Sequence, residues 1–139
     1  MSNVYKHIFD AVFTRLTNNW SATDIDYPAT RFSPNPNLAW IQPRLTFFNA
    51  EPVAMGGGAS YNRIEGDLHI NVFVPVGFGM NEAVDYADTL RTLFPGGYLL
   101  ATAGRTVRFE VPFATPEIEQ PEWYQIPVVC PFTVDGLNL

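Results

Sequence analysis

The sequence predicts an α+β domain: an antiparallel β-sheet with two helices packed on one of its faces. Three observations predict it. Apolar residues recur at three- and four-residue steps over 3–18 and 80–94, the repeat of a helix with one buried stripe. They alternate with polar residues over 61–76, the repeat of a strand with one packed and one open face. The order helix, strands, helix, strands then leaves both helices to cover the same apolar side.

The first helix carries Val4, Ile8, Ala11, Val12 and Leu16 on its stripe, and Tyr5, Phe9 and Phe13 widen it. Ser2 or Asn3 can cap its start and Asn18-Asn19 its end. Residues 21–39 are turn-rich, because Ser33-Pro34-Asn35-Pro36-Asn37 suits neither a helix interior nor a central strand; a short strand fits at 25–29. A strand is expected over 40–48, with Trp40, Gln42, Arg44 and Thr46 on one side and Ile41, Pro43, Leu45 and Phe47 on the other. Pro43 lacks a ladder donor, which places this strand at an edge or gives it a bulge. Residues 49–60, with Gly56-Gly57-Gly58, read as a flexible connection longer than the roughly two to five residues of a tight hairpin.

The clearest strand follows. Ile64, Gly66, Leu68, Ile70, Val72, Val74 and Val76 alternate with Arg63, Glu65, Asp67, His69, Asn71 and Phe73. After the turn at Gly77-Phe78-Gly79, the second helix is expected to bury Met80, Ala83, Val84, Ala87, Leu90 and Phe94, with Glu82, Asp85 and Asp88 outward. Acids near its start suit the helix dipole, and Pro95-Gly96-Gly97 ends it. Two further strands alternate through Val107, Phe109, Val111 and Phe113, and through Tyr124, Ile126, Val128, Cys130, Phe132 and Val134.

The chain has 139 residues, 47% of them hydrophobic, which suits one domain over 1–139 with its own core. No apolar run is long enough to cross a bilayer as a helix, and the N-terminal pattern is not that of a secretory signal. Fourteen acidic and eight basic residues give a net charge of −6. The basic residues are Lys6 and seven scattered arginines, without the stripe that a phosphate-gripping surface needs. The lone cysteine, Cys130, excludes an internal disulfide and suits folding in a reducing cytoplasm.

The motifs that could carry chemistry fall short of it. His7 and His69 lie on different elements with no further ligand at metal spacing, so both read as surface or interface residues. Cys130 stands on an apolar strand phase, where a thiol acts as a small hydrophobe, with no histidine tied to it by pattern. Gly77-Phe78-Gly79 precedes a helix but lacks the third glycine and the Lys-Ser/Thr ending of a phosphate loop. The acid pairs Asp24/Asp26, Asp85/Asp88 and Glu117/Glu119 lack a calcium-loop framework and read as solvated. Asn19-Trp20-Ser21 is a glycosylation sequon without the secretory context that would give it meaning. No catalytic residue, metal or cofactor is expected.

What remains are contact residues. Trp40 and Trp123 fall on the strand phase opposite the core, where large aromatics either join an interface or lie under loops of their own chain. Arg44, Arg63, Glu65, His69 and Arg108 share the polar side of the sheet, and mixed charges of this kind set register between neighbours.

The order of several segments points further. Trp40-Ile41-Gln42-Pro43-Arg44-Leu45 follows a Pro-rich stretch. A Gly-rich connection leads to Tyr61-Asn62-Arg63-Ile64-Glu65-Gly66-Asp67-Leu68-His69-Ile70-Asn71-Val72-Phe73-Val74-Pro75. Gly77-Phe78-Gly79 and Glu82-Ala83-Val84-Asp85-Tyr86-Ala87-Asp88 come next. In this order and spacing, carried by about 40–94, the chain resembles the tail terminator (tail completion) family of long-tailed phages, the lambda-type terminators and their relatives. The resemblance implies a virion protein made in the host bacterial cytoplasm. It implies a hexameric ring that caps the tail tube, ends polymerisation and joins the head connector or stopper protein, with no enzymatic activity, cofactor or membrane. DNA would pass through without sequence-specific binding, for which an acidic chain is suited. From patterning, the expected subunit or partner interface comprises Trp40, Arg44, Met55, Gly56, Gly57, Gly58, Arg63, His69, Arg108 and Trp123. The alternatives are another neck or tail-tube ring protein such as a head-tail stopper, and a small-ligand binding domain using the polar face and the Gly-rich loop.

Overall fold

The computed structural model describes residues 3–56, 59–77 and 79–137. Two helices, α1 (Val4–Asn19) and α2 (Met80–Leu93), accompany eight strands. These are β1 (Asp24–Ile25), β2 (Trp40–Gly56), β3 (Ala59–Pro75), β4 (Leu99–Thr102), β5 (Arg105–Phe109), β6 (Phe113–Ala114), β7 (Ile118–Glu119) and β8 (Trp123–Leu137). They form one sheet in the order β1-β2-β3-β8-β5-β4, with β6 and β7 also paired to β8. The α+β class expected from the sequence is observed. The sheet is antiparallel except where β1 pairs parallel with β2.

β3 is the centre, flanked along nearly its whole length by β2 and β8. Its alternation places Ile64, Leu68, Ile70, Val72 and Val74 in the core. There they meet Ile8, Val12 and Leu16 of α1, Ala83, Ala87 and Leu90 of α2, and Phe94, Phe109 and Phe132. Full burial of one such large side chain stabilises by roughly 1.5–3 kcal/mol, and no polar or charged residue is buried among those described. Gly66 breaks the apolar series for a steric reason: a Cβ there would lie 2.3 Å from the Thr46 carbonyl oxygen and 2.7 Å from the Phe132 ring.

Arg15 locks the two helices together. Its Nε donates to the Leu93 carbonyl at 2.7 Å, satisfying an orphan acceptor at the end of α2, while its guanidinium lies 4.1 Å from the Tyr98 ring centroid. α2 carries Glu82 in its first turn and Arg91 in its last, each matched to the helix dipole. Asn3 occupies the cap position of α1 without a side-chain capping bond; Ser2 lies outside the described residues.

Several boundaries differ from the sequence expectation. The connection expected at 49–60 is mostly strand, since β2 continues to Gly56 and β3 begins at Ala59. Single-residue register slips after Phe47 and after Pro52 absorb the positions that spoil the alternation. Pro52 is tolerated because β1 pairs only with Trp40 and Ile41, leaving the rest of β2 as an edge. The strand expected at 25–29 is confined to Asp24–Ile25, because the chain turns at Tyr27 with Ala29 at φ 58°. β5 ends at Phe109, and the segment rejoins β8 only as the short β6 and β7. Val84, expected in the buried stripe of α2, is 47% exposed.

Candidate functional site

The helices cover one face of the sheet, so the functional question concerns the other face and the edges. On that outer face, cross-strand neighbours from β2, β3 and β8 build two polar networks. In the first, Arg44 donates to the Asp26 carbonyl at 2.7 Å and to its carboxylate at 3.2 Å. Gln42 donates to the same carboxylate at 3.0 Å, and Asn71 to Gln42 at 3.2 Å. This network pins the 24–27 segment against the edge of β2.

The second network lies toward the far end of β3. Arg63 donates to both Asp135 oxygens, at 2.8 and 3.3 Å, and Arg108 approaches the same carboxylate at 3.9 Å. The Asp135 hydrogen bond and charge hold the Arg63 proton more tightly than usual. A two-pronged Arg–carboxylate pair fixes orientation as well as charge. Between the networks, His69 Nε2 stands 3.2 Å from Asp67 Oδ1. The two atoms form no hydrogen bond, and that buried oxygen has no hydrogen-bond partner among the described residues.

At the other end of the face the surface becomes aromatic and closed. Trp40 stacks on Phe73 with ring centroids 4.0 Å apart and planes 7° apart. Trp123 meets it edge-on at 5.7 Å, and Phe32 from the Pro-rich segment lies at 5.1 Å. Trp40 is thereby 9% exposed, and its buried Nε1 donates to no described group. Of the two readings open for Trp40, the structure displays cover by its own chain. Trp123 stays half-buried at the rim.

The expected contact residues therefore separate. Arg44, Arg63, His69 and Arg108 do share one face, and Trp40 and Trp123 share a cluster at its end. Met55 and Gly56 lie apart, on the outer end of the β2–β3 hairpin; Gly57 and Gly58 lie outside the described residues. Sequence reasoning treated Asp26 as a solvated acid and passed over Asp135, yet these two carboxylates organise the face. No local signal marks them, because their arginine partners are 18 and 72 residues away in sequence.

Cys130 is fully buried, and desolvation pushes its thiol up to about 12, leaving it protonated and inert. Among the described residues no group of three or more His, Cys, Asp or Glu side chains could hold a metal ion. No described helix is long and apolar enough to cross a membrane. His7 Nδ1 contacts Arg105 at 3.2 Å, on a different part of the molecule from His69.

A family model described as phage tail terminator protein matches residues 7–132. The chain belongs to the phage tail terminator family. The family is one of structural tail proteins rather than enzymes, so this terminator-family chain is a structural component of a phage tail and of the virion. One solved structure is similar over 96% of this chain and 96% of its own, with a TM-score of 0.76. At 21% identity that likeness concerns the fold. No curated protein matches the chain.

Proposed function

We propose that this terminator-family chain acts as a single domain that closes, with further copies of itself, into a hexameric ring on the end of the tail tube. The ring ends tube polymerisation and then offers its opposite side to the head connector or stopper protein. The observation that carries this reading is the family match across 7–132. The outer face supports it physically. Its charges are held in fixed geometry by Asp26 and Asp135, and prearranged charges of both signs set register against a neighbour while rejecting wrong ones.

Arg44, Arg63, His69, Arg108 and Trp123 are the proposed contact residues of this face, with Met55 and Gly56 contributing from the hairpin end; Gly57 and Gly58 are proposed with them from the sequence pattern alone. Trp40 supports them from beneath as packing. The net charge of −6 suits a lumen through which DNA slides without sticking, and no sequence-specific nucleic-acid contact is part of the proposal.

The test is electron microscopy of tails assembled in the absence of this protein. Overlong tails of variable length are expected. Tails of normal, uniform length would refute termination, and a lumen lined by exposed arginines would refute the electrostatic account of DNA passage.

A further inference from the structure

The net charge of the chain is not spread along it. Residues 109–139 include no lysine or arginine, while Glu110, Glu117, Glu119, Glu122 and Asp135 are acids, so −5 of the total −6 falls in that stretch. Asp135 is taken up by Arg63. The four glutamates are exposed, and the described ion pairs include none of them. Arg91 reaches this segment, but its Nε donates to the Pro112 carbonyl at 3.1 Å and its ion pair, at 3.8 Å, is with Asp88.

The same segment displays apolar side chains: Val111 is 68% exposed, Phe113 49% and Ile118 45%. Phe113 stands opposite Val129, and Ile118 opposite Gln125; these two in turn stand opposite His69 and Phe73 of β3. Cross-strand partners share a face, so Phe113 and Ile118 carry the outer face past β8 to the flank of the sheet. Pro112, Pro116 and Pro121 punctuate the segment, and proline blunts a sheet edge against strand addition. A partner is met here by side chains rather than by backbone. Apolar groups ringed by polar ones are the make-up of a protein–protein contact.

The charge decides the kind of partner, because a second copy does not supply the opposite sign. Lys6, Arg44, Arg63, Arg91 and Arg108 already face acids of their own chain. Arg15 is held by the Leu93 carbonyl, and Arg105 meets His7. Among the described residues that leaves Arg31 to face four glutamates. We infer that residues 110–122 receive a protein unlike this chain, one that sets lysines or arginines around an apolar anchor. The anchor meets Phe113 and Ile118, and its cations meet the glutamates at the rim. The inference rests on the reading that this chain joins other tail proteins; it adds the surface used and separates it from contacts between copies.

The test measures binding of the full chain to the tail-tube protein and, separately, to the head-tail stopper protein of the same phage. Isothermal titration calorimetry over a salt series reads the binding, analytical ultracentrifugation the self-association and circular dichroism the folding. One variant changes Glu110, Glu117, Glu119 and Glu122 together to glutamine, which keeps the size of four exposed side chains; the other is Phe113→Ser. Wild type is expected to bind one of the two proteins with an affinity that falls as salt rises. The glutamine variant is expected to bind it roughly tenfold or more weakly and with little salt dependence, and Phe113→Ser roughly thirtyfold more weakly, as loss of an anchor does. Both are expected to self-associate like wild type. Variants that bind the partner like wild type would overturn the inference. So would lost self-association with partner binding intact, which makes the segment a contact between copies. A glutamine variant that gains affinity for duplex DNA and keeps its partner would overturn it too, making the segment a wall that repels DNA. A wild-type chain that binds neither protein would refute the joining itself, and this surface with it. Should Phe113→Ser fail to fold, Ile118→Ser makes the same test.

Discussion

Replacing Trp40 by alanine separates packing from contact on the aromatic end of the sheet. The side chain is 9% exposed and stacked on Phe73 at 4.0 Å, so its loss creates a cavity between Phe32, Phe73 and Trp123. Truncation of a buried tryptophan costs about 3–5 kcal/mol. One contribution runs the other way. The buried Nε1 has no partner among the described residues, and an unmade hydrogen bond of this kind costs about 1–3 kcal/mol, which the truncation relieves. The expected net loss is therefore about 2 kcal/mol. With a urea m-value of about 2 kcal/mol/M for a chain of this size, the unfolding midpoint falls by roughly 1 M with unchanged slope. Trp40→Phe keeps a ring against Phe73 and deletes the unpaired N–H, so it is expected to stay within about 1 kcal/mol of wild type. Both are read from urea titrations followed by circular dichroism. A Trp40→Ala midpoint indistinguishable from wild type, together with weakened self-association, would refute the reasoning and make Trp40 an anchor between subunits.

Two further outcomes follow from the core. Gly66→Ala would press a methyl against the Thr46 carbonyl and the Phe132 ring; the first is backbone and cannot turn aside. A loss of about 3 kcal/mol or more is expected, and an unchanged melting temperature would show that β2 and β3 separate freely there. For Cys130, the thiol rises from 9.0 in the unfolded chain to about 12 in the fold through desolvation. Below the lower value both states hold the proton and stability does not depend on it. Above it the unfolded chain ionises first, so stability falls by up to ~1.4 kcal/mol per pH unit until the folded value is reached. Wild type should therefore lose stability in that alkaline window faster than Cys130→Ala, and parallel stability–pH curves for the two would contradict the burial argument.

The sequence carried the class and the long elements because their periodicities are local. α1, α2 and β3 each bury a stripe that three- or two-residue spacing reveals. β4, Leu99–Thr102, escaped because it is a short strand of half-exposed residues that pairs, among the described strands, with β5 alone. The hairpin arms at 49–56 were hidden by their bulges: one extra residue reverses the phase of every residue after it, so a continuous strand reads as irregular. The site was legible as a list of arginines but not as a structure. Arg44 and Arg63 are ordered by Asp26 and Asp135, and only the fold brings those carboxylates near. Trp40 was placed on the correct side of the sheet, yet its burial depends on Phe32, anchored from a Pro-rich segment with no repeat to read.

The central position of β3 has a consequence for how the chain reaches this state. Its second neighbour is β8, which follows the other seven described strands in the chain, and Arg63 meets Asp135 across 72 residues of sequence. Among the described strands, β5, β6 and β7 are linked to β3 and β2 through β8. Until residues 123–137 are available, β3 keeps an open edge and the β5–β7 segment has no strand to pair with beyond β4. Such long-range closure is slow, on the order of milliseconds to seconds for sheet-dominated topologies, and the waiting chain displays an unpaired apolar strand. Ordering of the Arg63–Asp135 pair thus marks closure of the sheet around β3.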